Sequence, residues 1–121
     1  MTLAMILEVA ILDIGKGTCG DFEAAFREAS PIIASMSGYI SHELRRCLET
    51  PSRYILLVSW QTLEAHTVGF RQSAEYQRWR TLLHHFYEPF PTVEHYDSPL
   101  VENICLLPDP MRMPLPPNKR E

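Results

Sequence analysis

Residues 39–48 and 53–61 both read as strands, and only a turn at Thr50-Pro51-Ser52 separates them. A link that short leaves two strands one arrangement, an antiparallel hairpin. In the first run Tyr39, Ser41, Glu43 and Arg45 fall on one side and Ile40, His42, Leu44 and Arg46 on the other. In the second run Tyr54, Leu56, Val58 and Trp60 share a face.

The hairpin sits inside a longer alternation. Residues 5–14 are rich in Ile, Leu and Val with polar breaks only at Glu8 and Asp13, the pattern of a strand buried over most of both faces. Gly15-Lys16-Gly17 ends it, and Thr18 to Asp21 carries the capping-box spacing. Phe22, Ala25, Phe26, Ala29, Ile33 and Met36 then recur at helical spacing. Pro31 predicts a kink or a new turn in that helix, and Ser37-Gly38 closes it. After the hairpin, Thr62 is placed to cap a short helix through Phe70. Ser73 is placed to cap another, in which Tyr76, Trp79, Leu83 and Phe86 form an apolar stripe. Pro89 and Pro91 end it, and residues 92–97 read as a last strand. The order is β-α-β-β-α-β with the second α split in two. That is an α+β, ferredoxin-like arrangement: a four-stranded antiparallel sheet with helices on one face. The uncovered face would carry more apolar surface than monomers usually expose. A second copy related by two-fold symmetry would cover it, so a homodimer is expected.

Composition changes near residue 98. All twelve aromatic residues lie before that point, whereas six of the ten prolines lie in residues 99–121. Residues 1–98 therefore read as the domain and 99–121 as an extended, Pro-rich tail. Its apolar side chains, among them Val101, Ile104, Leu106, Leu107, Met111 and Met113, suit a strap across the dimer seam. A net charge of −4 lacks the basic footprint of a nucleic-acid binder. No apolar run approaches the roughly 20 residues of a membrane span. Residues 1–12 have no leading positive charge, are interrupted by Glu8 and precede no small-x-small site, so a strand is expected there rather than a signal peptide. Cys19, Cys47 and Cys105 are odd in number and widely spaced, with no CxxC pair. Neither a disulfide framework nor a zinc site is expected, and a reducing cytoplasm fits.

The aromatic side chains of the later helices point to a pocket between sheet and helices, lined by Trp60, His66, Phe70, Tyr76, Trp79 and Phe86. His66 is the candidate base or orienting group, its unperturbed pKa being near ~6.5. A buried histidine that fixes the helix to the sheet is the structural alternative. Tyr76 is the second candidate catalytic residue, able to donate to a quinol or carbonyl oxygen. Trp60, Phe70, Trp79, His84 and Phe86 are the candidate substrate-binding residues, and each also has a reading as packing. His84 and His85 point about 100° apart on a helix and do not grip one ion readily, so no metal is expected.

The segment from Trp60 through Ala65-His66, Phe70 and Ser73-Ala-Glu-Tyr76 to Trp79 resembles the antibiotic biosynthesis monooxygenase family. So do Leu82-Leu83, Phe86 to Pro89 and Val93 to Tyr96, as well as Pro31 and Ser37-Gly38-Tyr39. The resemblance covers residues 5–98 and implies a dimeric α+β barrel. Some members oxygenate polyketide quinols without metal or flavin, a related branch cleaves haem, and many have no known reaction. The resemblance thus implies a cofactor-independent monooxygenase acting on a small aromatic or quinone-like compound. A non-catalytic dimeric binding or stress-response protein is the alternative on the same fold. The haem-cleaving branch uses an Asn on the first strand, a Trp on the short helix and a His on the next. Here Gly69 and Arg80 stand near the latter two positions, and the first strand has no Asn.

Overall fold

In the computed structural model, which describes residues 5–103, β2 (Tyr39–Arg46) and β3 (Arg53–Trp60) form the expected antiparallel hairpin. The turn closes with Arg53 N donating to Thr50 O at 2.9 Å. β3 alternates strictly, with Tyr54, Leu56, Val58 and Trp60 buried and the residues between them half-buried. β1 (Ile6–Asp13) pairs antiparallel with β3, and β4 (Val93–Tyr96) pairs antiparallel with the free edge of β1. The sheet order is β2-β3-β1-β4.

β1 is not buried on both faces. Glu8, Ala10 and Leu12 lie beneath the helices, while Leu7 and Val9 are half-buried on the opposite face and Ile11 is 42% exposed. Among the described residues no helix covers these outer apolar side chains. β2 also departs from simple alternation. Tyr39 faces Trp60 and Ser41 faces Ser59, so Ile40 is an extra residue, a β-bulge. The bulge turns Tyr39 to the side of His42, where its hydroxyl lies 2.5 Å from His42 Nδ1. Ser30 Oγ meets His42 Nε2 at the same distance, 2.5 Å.

α1 (Cys19–Ala34) buries Phe22, Phe26, Ala29, Ile32 and Ile33 and accommodates Pro31 without ending. Its capping box does not form. Thr18 has φ −117° and ψ 11°, short of the extended backbone a capping hydroxyl uses, and its side chain donates to Gly15 O at 2.7 Å instead. The second helical region has two parts, a π-helical turn (Ala65–Phe70) and α2 (Ala74–Leu83). Both expected caps are present: Ala65 N donates to Thr62 Oγ1 at 3.1 Å and Tyr76 N to Ser73 Oγ at 3.1 Å. A 3-10 turn (His84–Phe86) follows α2. Gly38, at φ +85°, lets the start of β2 pass under the π-helical turn. A Cβ there would lie 2.6 Å from the Ala65 Cβ. Leu100 and Val101 are exposed, and the strap expected beyond Asn103 lies outside the described residues.

Candidate active site

Glu8 and His95 are cross-strand partners on β1 and β4, with side chains on the helix-covered face. His66, in the π-helical turn, bridges them. Its Nε2 lies 3.4 Å from Glu8 Oε1 and its Nδ1 lies 2.8 Å from His95 Nε2. Trp60 reaches the same carboxylate oxygen from β3, donating Nε1–H at 2.9 Å. The indole and the His66 ring are stacked, centroids 5.3 Å apart and planes within 20°. An indole N–H only donates, so Glu8 Oε1 is the acceptor. The network is consistent when His66 carries its proton on Nε2 and accepts on Nδ1 from His95. The turn that presents His66 is wound one residue wide: Arg71 N donates to His66 O at 3.1 Å, five residues back.

Above Glu8 lies a cavity of about 370 Å³. Ala10, Leu12, Leu56 and Val93 line it from the sheet, and Phe70, Tyr76 and Trp79 from the helices. Tyr87, Phe90 and Pro91 close one side, with His84 and Arg71 also in the wall. Phe70 meets Tyr76 and Trp79 edge-on, at centroid distances of 5.2 and 5.5 Å.

Burial sets the electrostatics. Glu8, 5% exposed, has its pKa raised by desolvation, against the opposing pull of the Trp60 hydrogen bond and the Arg71 charge. The same burial, reinforced by Arg71 and His95, pushes His66 down to about 3. His84 is pushed down to about 4 by burial, then by Arg80 and Arg71. His95 falls by burial and by Arg71. The Tyr87 hydroxyl is raised, mainly by burial and then by Tyr76 and Glu8. At neutral pH the His66 imidazole is therefore uncharged, and Glu8 is the group drawn toward holding a proton.

Of the candidate site residues, His66, Phe70, Tyr76, Trp79 and His84 line one cavity. Trp60 does not line it. It is fully buried on the same face of the sheet, packed against His66 and Phe70, and its polar atom is engaged by Glu8. Phe86 does not line it either. The 3-10 turn winds tighter than α2 and leads the ring to Phe22, 5.7 Å away. Glu8, Arg71, Tyr87 and His95 were not among the expected site residues. The available signal was Glu8 itself, one carboxylate at period two with Ala10 and Leu12 on a strand otherwise apolar to its end. Among the described residues no group of three or more His, Cys, Asp or Glu side chains is placed to hold a metal ion. Among them, too, no helix is long and apolar enough to cross a membrane.

The family model described as antibiotic biosynthesis monooxygenase matches residues 5–82. The uncharacterized protein YczJ of Bacillus subtilis (strain 168) is 58% identical over 94 residues, 78% of this chain and 99% of YczJ. A crystal structure of a protein named for the same family, from Bordetella bronchiseptica, superposes with a TM-score of 0.77 at 38% identity, covering 80% of this chain and 99% of that one. SnoaB, a cofactor-independent oxygenase from Streptomyces nogalater, shares the fold with a TM-score of 0.59 at 18% identity, covering 85% of this chain and 98% of SnoaB.

Proposed function

The chain belongs to the antibiotic biosynthesis monooxygenase family, and on that premise we propose that it oxygenates a small aromatic, quinol-like compound held in the cavity above Glu8. One observation carries the reading: a buried carboxylate with a raised pKa faces a ring-lined cavity at the lower end of the roughly 300–1,000 Å³ range of small-molecule sites. A hydroquinone laid on Phe70 and Trp79 gives a hydroxyl proton to Glu8. The resulting phenolate is electron-rich enough to reduce dioxygen, so the substrate supplies the electrons and the reading asks for no bound cofactor. The apolar walls keep the anion and the reduced oxygen from bulk water.

The residues divide the work. Glu8 takes the proton, because an imidazole with a pKa of about 3 is a weak acceptor. Trp60 holds Glu8 in place through its Nε1–H, and the His66 ring packs beside the same carboxylate oxygen at 3.4 Å. Tyr76 offers a hydroxyl to the ring oxygen, and His84 and Arg71 border the ligand. Phe86 serves by packing against Phe22.

Oxygen consumption with a panel of benzene-, naphthalene- and anthracene-type hydroquinones tests the proposal. Saturable uptake above autoxidation is expected, falling by roughly a hundredfold or more in Glu8→Gln, which retains an acceptor for Trp60. No uptake from any member, with no binding of even a single aromatic ring, would sink the reading.

The reading includes a homodimer working in the cytoplasm. Leu7, Val9 and Ile11 of β1 and Ile55 and Leu57 of β3 form an apolar outer face that a second sheet covers by two-fold symmetry. Sedimentation equilibrium giving a monomer at high micromolar concentration would refute it.

A further inference from the structure

We propose that the ring compound taken by the cavity is an anion, a hydroxyaryl carboxylate whose carboxylate is held by Arg71 while its hydroxyl reaches Glu8. The proposal rests on the oxygenase reading for the hydroxyl; the carboxylate end follows from the cavity wall alone. Of the side chains lining the cavity, Arg71 is the one permanent cation. The ion pairs among the described residues use Arg45, Arg46, Arg53 and His66, and none of them engages Arg71. Its guanidinium therefore stands in the wall without a carboxylate partner among the described residues.

The surroundings favour an anion at that point. Burial holds His66 and His84 uncharged near neutral pH and draws Glu8 toward its neutral form, so Arg71 is the dominant charge an entering ring meets. The Arg71 charge also lowers the Glu8 pKa from a distance. A carboxylate seated on the guanidinium cancels that pull and leaves Glu8 the stronger base for the ring hydroxyl. Position decides the kind of anion. Phe70 ends the π-helical turn and Arg71 follows it, which puts the ring wall and the cation side by side. Phe70 is buried and Arg71 is exposed. A flat ring on Phe70 and Trp79 thus keeps its carboxylate at the mouth, where water still reaches it, and avoids most of the cost of burying an ion. There the carboxylate matches the guanidinium fork with two parallel hydrogen bonds.

The test uses two probes of one shape and different charge, 2-naphthoate and 2-naphthamide, titrated into the intact protein by calorimetry. In the wild type the carboxylate should bind roughly tenfold tighter than the amide, and the preference should shrink as salt is raised. In Arg71→Gln the two affinities should become equal. Arg71→Lys keeps the charge without the fork and should restore part of the preference. Both variants keep the turn, because it is the Arg71 backbone N–H that donates to His66 O. Equal affinities in the wild type, or a preference that survives in Arg71→Gln, would overturn the carboxylate site and leave the oxygenase reading as it stands. Binding of neither probe would overturn the carboxylate site, with the oxygenase reading then judged by oxygen uptake alone. An Arg71-dependent preference in a protein that oxidises no hydroquinone would remove the oxygenase reading and uphold the carboxylate site.

Discussion

Acidification should weaken this fold through His66, and the size of the loss follows from the site. The imidazole titrates at about 3 in the folded chain against ~6.5 when unfolded. A base whose folded pKa is depressed leaves the unfolded state holding more protons, so its stabilising contribution is present above ~6.5 and is lost as pH falls toward 3. Integrating between pH 7 and pH 5 gives a loss of about 2 kcal/mol from this residue alone. For a domain of this size that lowers a urea midpoint by roughly 1–2 M. Glu8 acts with the opposite sign, because a carboxyl with a raised pKa binds its proton more tightly when folded. The measurement is therefore a comparison: urea midpoints of wild type and His66→Gln at steps from pH 7 to pH 5, repeated in a Glu8→Gln background. The lowered pKa values of His42 and His84, which do not touch His66, belong to both chains and largely cancel in the difference. The wild type should lose about 2 kcal/mol more than the variant over the interval. Parallel curves in both backgrounds would refute the claim that His66 is held neutral by its surroundings.

Three further outcomes are expected. Gly38→Ala places a side chain at φ +85° and 2.6 Å from Ala65 Cβ, so it should cost more than about 1 kcal/mol and weaken ring binding by displacing the π-helical turn, as read by thermal melts and ligand titration. Trp60→Phe keeps bulk but removes the donor to Glu8 Oε1. It should cost about 1–3 kcal/mol and raise the Glu8 titration midpoint further, followed by carboxyl-labelled NMR. Ser73→Ala removes the acceptor for Tyr76 N and should cost about 1 kcal/mol in chemical denaturation.

The fold was legible because its strongest signals are local. A short turn fixes the hairpin, and β3 alternates without exception. Ser73 and Thr62 cap helices where their hydroxyls predict. What was misread depends on information no local window holds. A strand buried by its own chain on two faces and one with a helix-free apolar face have the same composition, as β1 shows. Nothing in Tyr39-Ile40-Ser41 marks the extra residue that turns Tyr39 over. The aromatic wall of the cavity followed from helical spacing, but its floor did not. Glu8 and His95 meet only through the pairing of the first strand with the last, and His66 joins them only through an unusually wide turn.

The stacking of Trp60 on His66 has an optical consequence. An excited indole gives up an electron readily to an imidazolium and poorly to a neutral imidazole. Emission from Trp60 is thus dimmed when its neighbour is charged and bright when it is not. The chain has two tryptophans, so a Trp79→Phe variant would leave Trp60 as the single emitter. Its brightness would then report the charge of one buried ring in the unlabelled protein, bright near neutral pH and dimming as the ring is protonated in acid.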